Sequence, residues 1–192
     1  MKIALINDTH FGARGDSQLF FDYFMKFFDE VFFPHLKENN IDTIIHAGDF
    51  MDRRKFVNFN ILNQVRNKFI KHLKENDIKM HCILGNHDVY YRNTNDVNSL
   101  TELFENDIII HEEPTVVDFN GLSIGLLPWI NKTNYDKSLE FIKNASAPIL
   151  ISHLELDGYQ VMRGINYHGG MDPKIFDRYE KVLSGHFHYR HE

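Results

Sequence analysis

Five short polar clusters in the 192-residue chain each carry side chains that could ligate a metal or move a proton. In order they are Asp8-Thr9-His10, Gly48-Asp49, Gly85-Asn86-His87-Asp88, Ser152-His153 and Gly185-His186-Phe187-His188. The donors on offer are carboxylates, imidazoles and a carboxamide, with no thiolate among them. Such a mixture of nitrogen and oxygen suits Mn, Fe or Zn better than Ca or Mg. Two divalent ions about 3.5–4 Å apart can neutralise the non-bridging oxygens of a phosphodiester, activate water and stabilise the leaving oxygen. A pair of that kind needs one shared carboxylate, with imidazole and oxygen donors completing each ion. A lone D-x-H or G-D means little, and a lone histidine after a strand is more often structural. The signal lies in five clusters in order, each behind an apolar run.

Those runs define the elements that must hold the clusters. Lys2–Ile6, Thr43–His46, Met80–Leu84, Pro148–Ser152 and Lys181–Leu183 read as strands. Between them, Phe20, Phe24, Phe27, Phe28, Val31 and Phe32 recur at helical spacing, and Pro34 predicts a kink or an end to that helix. Ile61, Leu62, Val65, Phe69 and Leu73 mark a second amphipathic helix, and shorter helices are expected near Val97–Phe104 and Tyr135–Asn144. Val116–Phe119, Asn120-Gly121 and Leu122–Leu127 read as a hairpin, because Asn-Gly supplies the two positive-φ positions of a tight turn. Strand–helix alternation followed by a hairpin predicts an α/β fold, a two-sheet sandwich flanked by helices. The chain shows no repeat, linker or low-complexity stretch, so one domain over residues 1–192 is expected.

Composition narrows the function. A net charge of −6 argues against a general polyanion binder, so any nucleic-acid site must supply local cations or metals. Of eight arginines, six (Arg14, Arg53, Arg54, Arg92, Arg163 and Arg190) fall in segments adjoining the clusters, where guanidinium groups suit phosphate contact. Arg14, Arg53 and Arg54 are the expected substrate contacts. The single Cys82 excludes an internal disulfide, sits in an apolar run and fits a reducing cytoplasm. No apolar stretch approaches a membrane span, and the N-terminus turns polar too early for a signal peptide. His46 is expected in the core or behind the site, while His35, His72, His81, His111 and His168 fit no motif.

The set D-x-H, G-D, G-N-H-D, H and G-H-x-H resembles the calcineurin-like metallophosphoesterase superfamily over nearly the whole chain. Within it, Ser152–Gly158 and Ser184–His188 look most like the SbcD-type DNA-repair nucleases, including the recombination endonuclease subunits of T4-like phages. The resemblance implies that Asp8, His10 and His188 hold one ion, that Asn86, His153 and His186 hold the other, and that Asp49 bridges them. It implies Mn²⁺, with Fe²⁺ or Zn²⁺ as alternatives. His87 would contact the phosphate or protonate the leaving oxygen, with Asp88 either orienting that imidazole or capping a loop. Archaeal and eukaryotic nuclease relatives carry a histidine three residues after the bridging aspartate, and Asp52 stands there instead.

Relatives continue past the last motif with further strands, a capping domain and a segment that binds an SbcC-like ATPase. This chain reaches Glu192 four residues after His188. The expectation is therefore a C-terminally truncated or split form, keeping the metal site with impaired duplex processing and no ATPase attachment. A homodimer through the Asn58–Lys74 helix is the alternative use of an apolar stripe that packing on the sheet explains more simply. Two competing readings remain. Gly48–Arg53 resembles the G-D-x-V-D-R-G loop of Ser/Thr phosphatases, but Arg54 stands where that loop has glycine. A metal-free scaffold is the other, against which all the ligand positions and His87 are present.

Overall fold

A computed structural model describes residues 1–190. Two four-stranded sheets lie face to face. The first contains β1 (Ala4–Ile6), β2 (Thr43–His46), β3 (Lys79–Ile83) and β4 (Ile109–His111), all parallel and in that order. The second runs in the order β10 (Lys181–Gly185), β7 (Ile149–His153), β6 (Leu122–Leu127), β5 (Thr115–Phe119); only the β5–β6 pair is antiparallel. A separate hairpin pairs β8 (Gln160–Met162) with β9 (Ile165–Asn166).

Strand alternation separates three apolar layers. On β2, Ile44 points to the helices and Ile45 to the opposing sheet, and all four residues of the strand are buried. Burial on both faces is why a parallel strand reads as a continuous apolar run. Ile45, Ile83, Leu126 and Ile151 fill the space between the sheets. Leu150, Ile142 and Phe176 form the outer layer, where the helix Tyr135–Asn144 covers the second sheet. The first sheet's outer face is covered by helices over residues 18–39 and 59–75. The phenylalanines concentrate there: Phe69 lies 4.9–5.9 Å, ring centre to ring centre, from Phe28, Phe11, Phe33 and Phe50. The stripe Ile61, Leu62, Val65, Phe69, Ile70 and Leu73 is wholly buried in this layer, so packing on the sheet uses it up.

Of the kink or end expected at Pro34, the end does not occur, and the helical run continues to Asn39. A π-turn over Phe28–Phe32 precedes Phe33–Asn39, and Pro34 occupies its first turn. Widening the hydrogen-bond step just ahead of the proline lets the helix continue without the N–H that proline lacks. The hairpin turn is as expected, with Asn120 at φ 54° and Gly121 at φ 90°. Sequence reading missed β4, three residues at a sheet edge, and the short β8–β9 hairpin. Among the described residues no helix is long and apolar enough to cross a membrane.

Candidate metal centre

Strands β1, β2, β3, β7 and β10 end at one rim, and each hands its polar cluster to the same place. The local pattern is a site residue followed by a core anchor. Asp49 is followed by Phe50, which is fully buried, and His10 by Phe11, also buried. The two segments are tied together by Phe11 N–H donating to Phe50 O at 2.9 Å and His10 N–H to Asp49 O at 3.0 Å. Core packing thus fixes where the polar neighbours point. Asp8, His10, Asp49 and His186 all have positive φ, between 41° and 97°. Such backbone costs free energy and persists where surrounding structure over-determines it, characteristically at functional sites. Gly48, at φ 88°, could not be replaced: a Cβ there would stand 2.5 Å from His153 Nδ1 and 2.8 Å from Gly85.

The donors named above fall on two sides of Asp49, and His87 meets His10 and Asp49 in a third grouping. Asp8, His10 and His188 converge on one side, with His188 Nε2 at 3.3 Å from Asp8 Oδ1 and at 3.2 Å from His10 Nε2. Asp49, His153 and His186 converge on the other, their ligand atoms within 4.8 Å of one another. Asn86 Oδ1 lies there as well, 3.1 Å from His153 Nε2 and 2.9 Å from His186 Nδ1. A single oxygen, Asp49 Oδ2, is 3.5 Å from His10 Nε2 and 3.4 Å from His153 Nε2, which puts this carboxylate between the two groups. His153 Nδ1–H donates to Ala47 O at 2.8 Å, which aims Nε2 inward. The donor set fits cations: imidazole nitrogens and carboxylate oxygens face one another with few protons to share, and Asp49 is almost fully buried.

Charge coupling says the same. Burial alone would depress the His153 imidazole and raise the Asp49 carboxyl. Their mutual attraction instead lifts His153 to about 9 and holds Asp49 below the usual carboxylate range. Hydrogen bonding to Asp8 raises His188, whereas burial lowers His10 and His186.

His87 stands at the edge of both groups. Its backbone N–H donates to Asp49 Oδ1 at 2.7 Å, and its ring packs edge-on against His10 at 4.7 Å. Its Nδ1 lies 2.5 Å from Asp52 O, which leaves Nε2 without a hydrogen-bond partner among the described residues. Asp52 is therefore a support for two imidazoles: its carbonyl fixes His87, and its Oδ1 lies 3.3 Å from His10 Nδ1.

Asp88 does not orient His87. Its buried carboxylate accepts four backbone N–H groups, from Gly85, Asp49, Phe50 and Met51, at 2.8–3.2 Å. Of the two readings of this residue, the loop cap is the one the geometry supports. The three arginines also part company. Arg53 is taken up by Asp16 at 3.1 Å, and Arg14 lies 5.9 Å over the Phe20 ring. Arg54 forms no ion pair among the described residues and is close enough to feel Asp49. His46 is buried behind the site, its Nε2 3.0 Å from Thr9 Oγ1.

Sequence reading missed three neighbours. Glu155 Oε1 lies 3.7 Å from His186 Nε2, Tyr167 bonds Glu155, and Trp129 packs 5.3 Å from the His186 ring. Glu155 lies in the quoted stretch Ser152–Gly158 but was given no role there, and Tyr167 and Trp129 lie outside the motifs, brought in by the fold.

The strand-end site, the helix–sheet–sheet–helix layering and the motif order define a phosphoesterase class. The chain belongs to the calcineurin-like phosphoesterase family, whose model matches residues 1–190, and that family works with two divalent metals. Among curated proteins it is similar to Exonuclease subunit 1 of Enterobacteria phage T4, at 34% identity over 98% of this chain. It spans 55% of that relative's length, about half of it. Solved structures similar in fold include a protein of unknown function from Aquifex aeolicus (20% identity, 95% of this chain, 88% of that chain, TM-score 0.47). Another is the nuclease MPE of Pseudomonas putida (19% identity, 88% of this chain, 78% of that chain, TM-score 0.47).

Proposed function

We propose that the chain is a two-metal phosphodiesterase that cleaves DNA, with Mn²⁺ as its working metal and Fe²⁺ or Zn²⁺ as alternatives. The observation that carries this reading is the Asp49 oxygen shared between His10 and His153 at 3.5 and 3.4 Å, with the remaining donors split around it. Asp8, His10 and His188 would hold one ion and Asn86, His153 and His186 the other, with Asp49 common to both. Bound there, the ions supply charge neutralisation for the phosphate and an acidified water.

The chain's own groups do the rest. His87 Nε2 is the free nitrogen at the rim; it contacts the scissile phosphate or gives a proton to the leaving oxygen. The Asp52 carbonyl accepts from Nδ1–H and so turns Nε2 to the rim, and the proton given to the leaving oxygen is the Nε2–H of the imidazolium form. Support for a DNA substrate comes from the similarity to a phage exonuclease subunit, whose name also implies a larger assembly. A role in recombination or break repair belongs to the same proposal.

The test is a nuclease assay on single- and double-stranded DNA with Mn²⁺, EDTA and His87→Ala. The expected result is Mn²⁺-dependent cleavage abolished by EDTA. His87→Ala should be about 10²–10⁴ slower with metal stoichiometry unchanged, the range for loss of one positioned proton donor. Faster turnover of phosphomonoesters than of diesters would overturn the reading.

A further inference from the structure

Two loops beside the candidate metal centre carry exposed aromatics interleaved with cations. The first follows β2 and the Asp49 motif, running through Arg53, Arg54, Lys55 and Phe56. The second follows β3 and the His87 motif, running through Tyr90, Tyr91 and Arg92. They are joined at the site end by His87 Nδ1 against Asp52 O. Further out, Lys55 Nζ sits 5.1 Å over the Tyr90 ring. Phe56, Lys55 and Tyr90 line one shallow cavity of about 160 Å³.

The aromatics here serve no core. Phe56 is 75% exposed and Tyr91 52%, although each has a large apolar face that folding would ordinarily bury. Tyr91 packs edge-on against Tyr90 at 4.7 Å, which stiffens the pair and leaves an outer ring face open. The cations are equally unclaimed. Arg54, Lys55 and Arg92 form no ion pair with an acid among the described residues, in a chain whose net charge is −6. Burial, and then the neighbouring Arg92, disfavour the charge on Arg54. Like charges held together without a partner wait for an anion.

We infer that these two loops form a platform for an unpaired stretch of nucleic acid, in which Arg54 and Arg92 take backbone phosphates and Phe56 and Tyr91 stack on bases. The inference rests on the phosphodiesterase reading and names the form of substrate that the site would receive. Alternating cations and open ring faces match the alternation of phosphate and base along one strand. A duplex keeps its base faces stacked inside and offers the aromatics nothing. A protein-docking patch would be contiguous and apolar, whereas cations separate these rings.

The experiment is fluorescence anisotropy of a labelled oligodeoxythymidine and a labelled blunt duplex, both in EDTA so that cleavage and metals are excluded. Phe56→Ala and Tyr91→Ala should each weaken oligodeoxythymidine binding about tenfold, while Phe56→Trp binds as the parent does. Arg54→Ala or Arg92→Ala should lower the slope of log affinity against log salt by roughly 0.7, one phosphate contact on a single strand. Melting temperatures of the variants, measured alongside, separate lost binding from lost folding. Unchanged binding by folded alanine variants would overturn the platform. So would equal losses on duplex and single strand, or a concentration-dependent dimer that Phe56→Ala abolishes while DNA binding persists. The unaltered protein is also assayed on bis(p-nitrophenyl) phosphate with Mn²⁺. No turnover there sinks the phosphodiesterase reading, while the binding data in EDTA still decide the platform.

Discussion

At the scale of single residues, Asp88 separates what a motif announces from what it does. The sequence places it beside His87, which invites an acid–imidazole partnership. The fold turns it inward to collect four backbone N–H groups of the loops that carry Asn86 and Asp49. Each buried N–H deprived of its acceptor costs about 1–3 kcal/mol. Asp88→Ala should therefore cost about 3–5 kcal/mol of stability, read by chemical denaturation, whereas Asp88→Asn, which keeps one acceptor oxygen, should lose less. An Asp88→Asn protein of full stability whose rate alone collapsed would restore the partnership with His87. The ligand positions were legible because each is a distinctive residue type directly behind a strand. Asp88's partners are backbone amides, and Tyr167 and Trp129 arrive from segments outside the motifs, so no spacing in the chain announces them; Glu155, two residues past His153, shows its role only once His186 is beside it.

At the scale of elements, long periodic runs were readable and short or irregular ones were not. Thr43–His46 and Tyr135–Asn144 have the bounds their patterns suggest, and the Asn120-Gly121 turn follows from its conformational requirement. Pro34 does not end its helix because a π-turn precedes it, and a π-turn leaves no trace in apolar spacing. β4 was invisible at three residues, yet it brings His111 against His81, with ring nitrogens 2.9 Å apart and rings stacked at 8°. Burial, and then the neighbouring His81, push His111 down to about 4; burial and Lys79 also lower His81. A lowered histidine value means that the unfolded chain binds the proton more readily. The pair's contribution is thus whole above about 6.5 and is lost as pH falls towards 4. Denaturation midpoints across this window should fall less steeply for His111→Phe than for the parent. Identical slopes would show that the pair does not titrate with folding.

At the scale of the whole molecule, the donors come from both halves of the sandwich. Asp8, His10, Asp49 and Asn86 follow strands of the first sheet, and His153, His186 and His188 belong to the second. Within the described residues, the layer between the sheets is smaller than the layer under the helices, so the rim has a share in holding the two sheets together. Ions seated there would act as a latch closing two leaves. Whatever binds only the closed form stabilises it by mass action, about 2.7 kcal/mol at a hundredfold excess over Kd. For a chain of this size that corresponds to a melting temperature roughly 5–10 °C higher in Mn²⁺ than in EDTA. Asp49→Asn should erase most of the difference. The catalytic inventory would then double as a fastener, and starving the protein of metal would slacken its architecture as well as silence its chemistry.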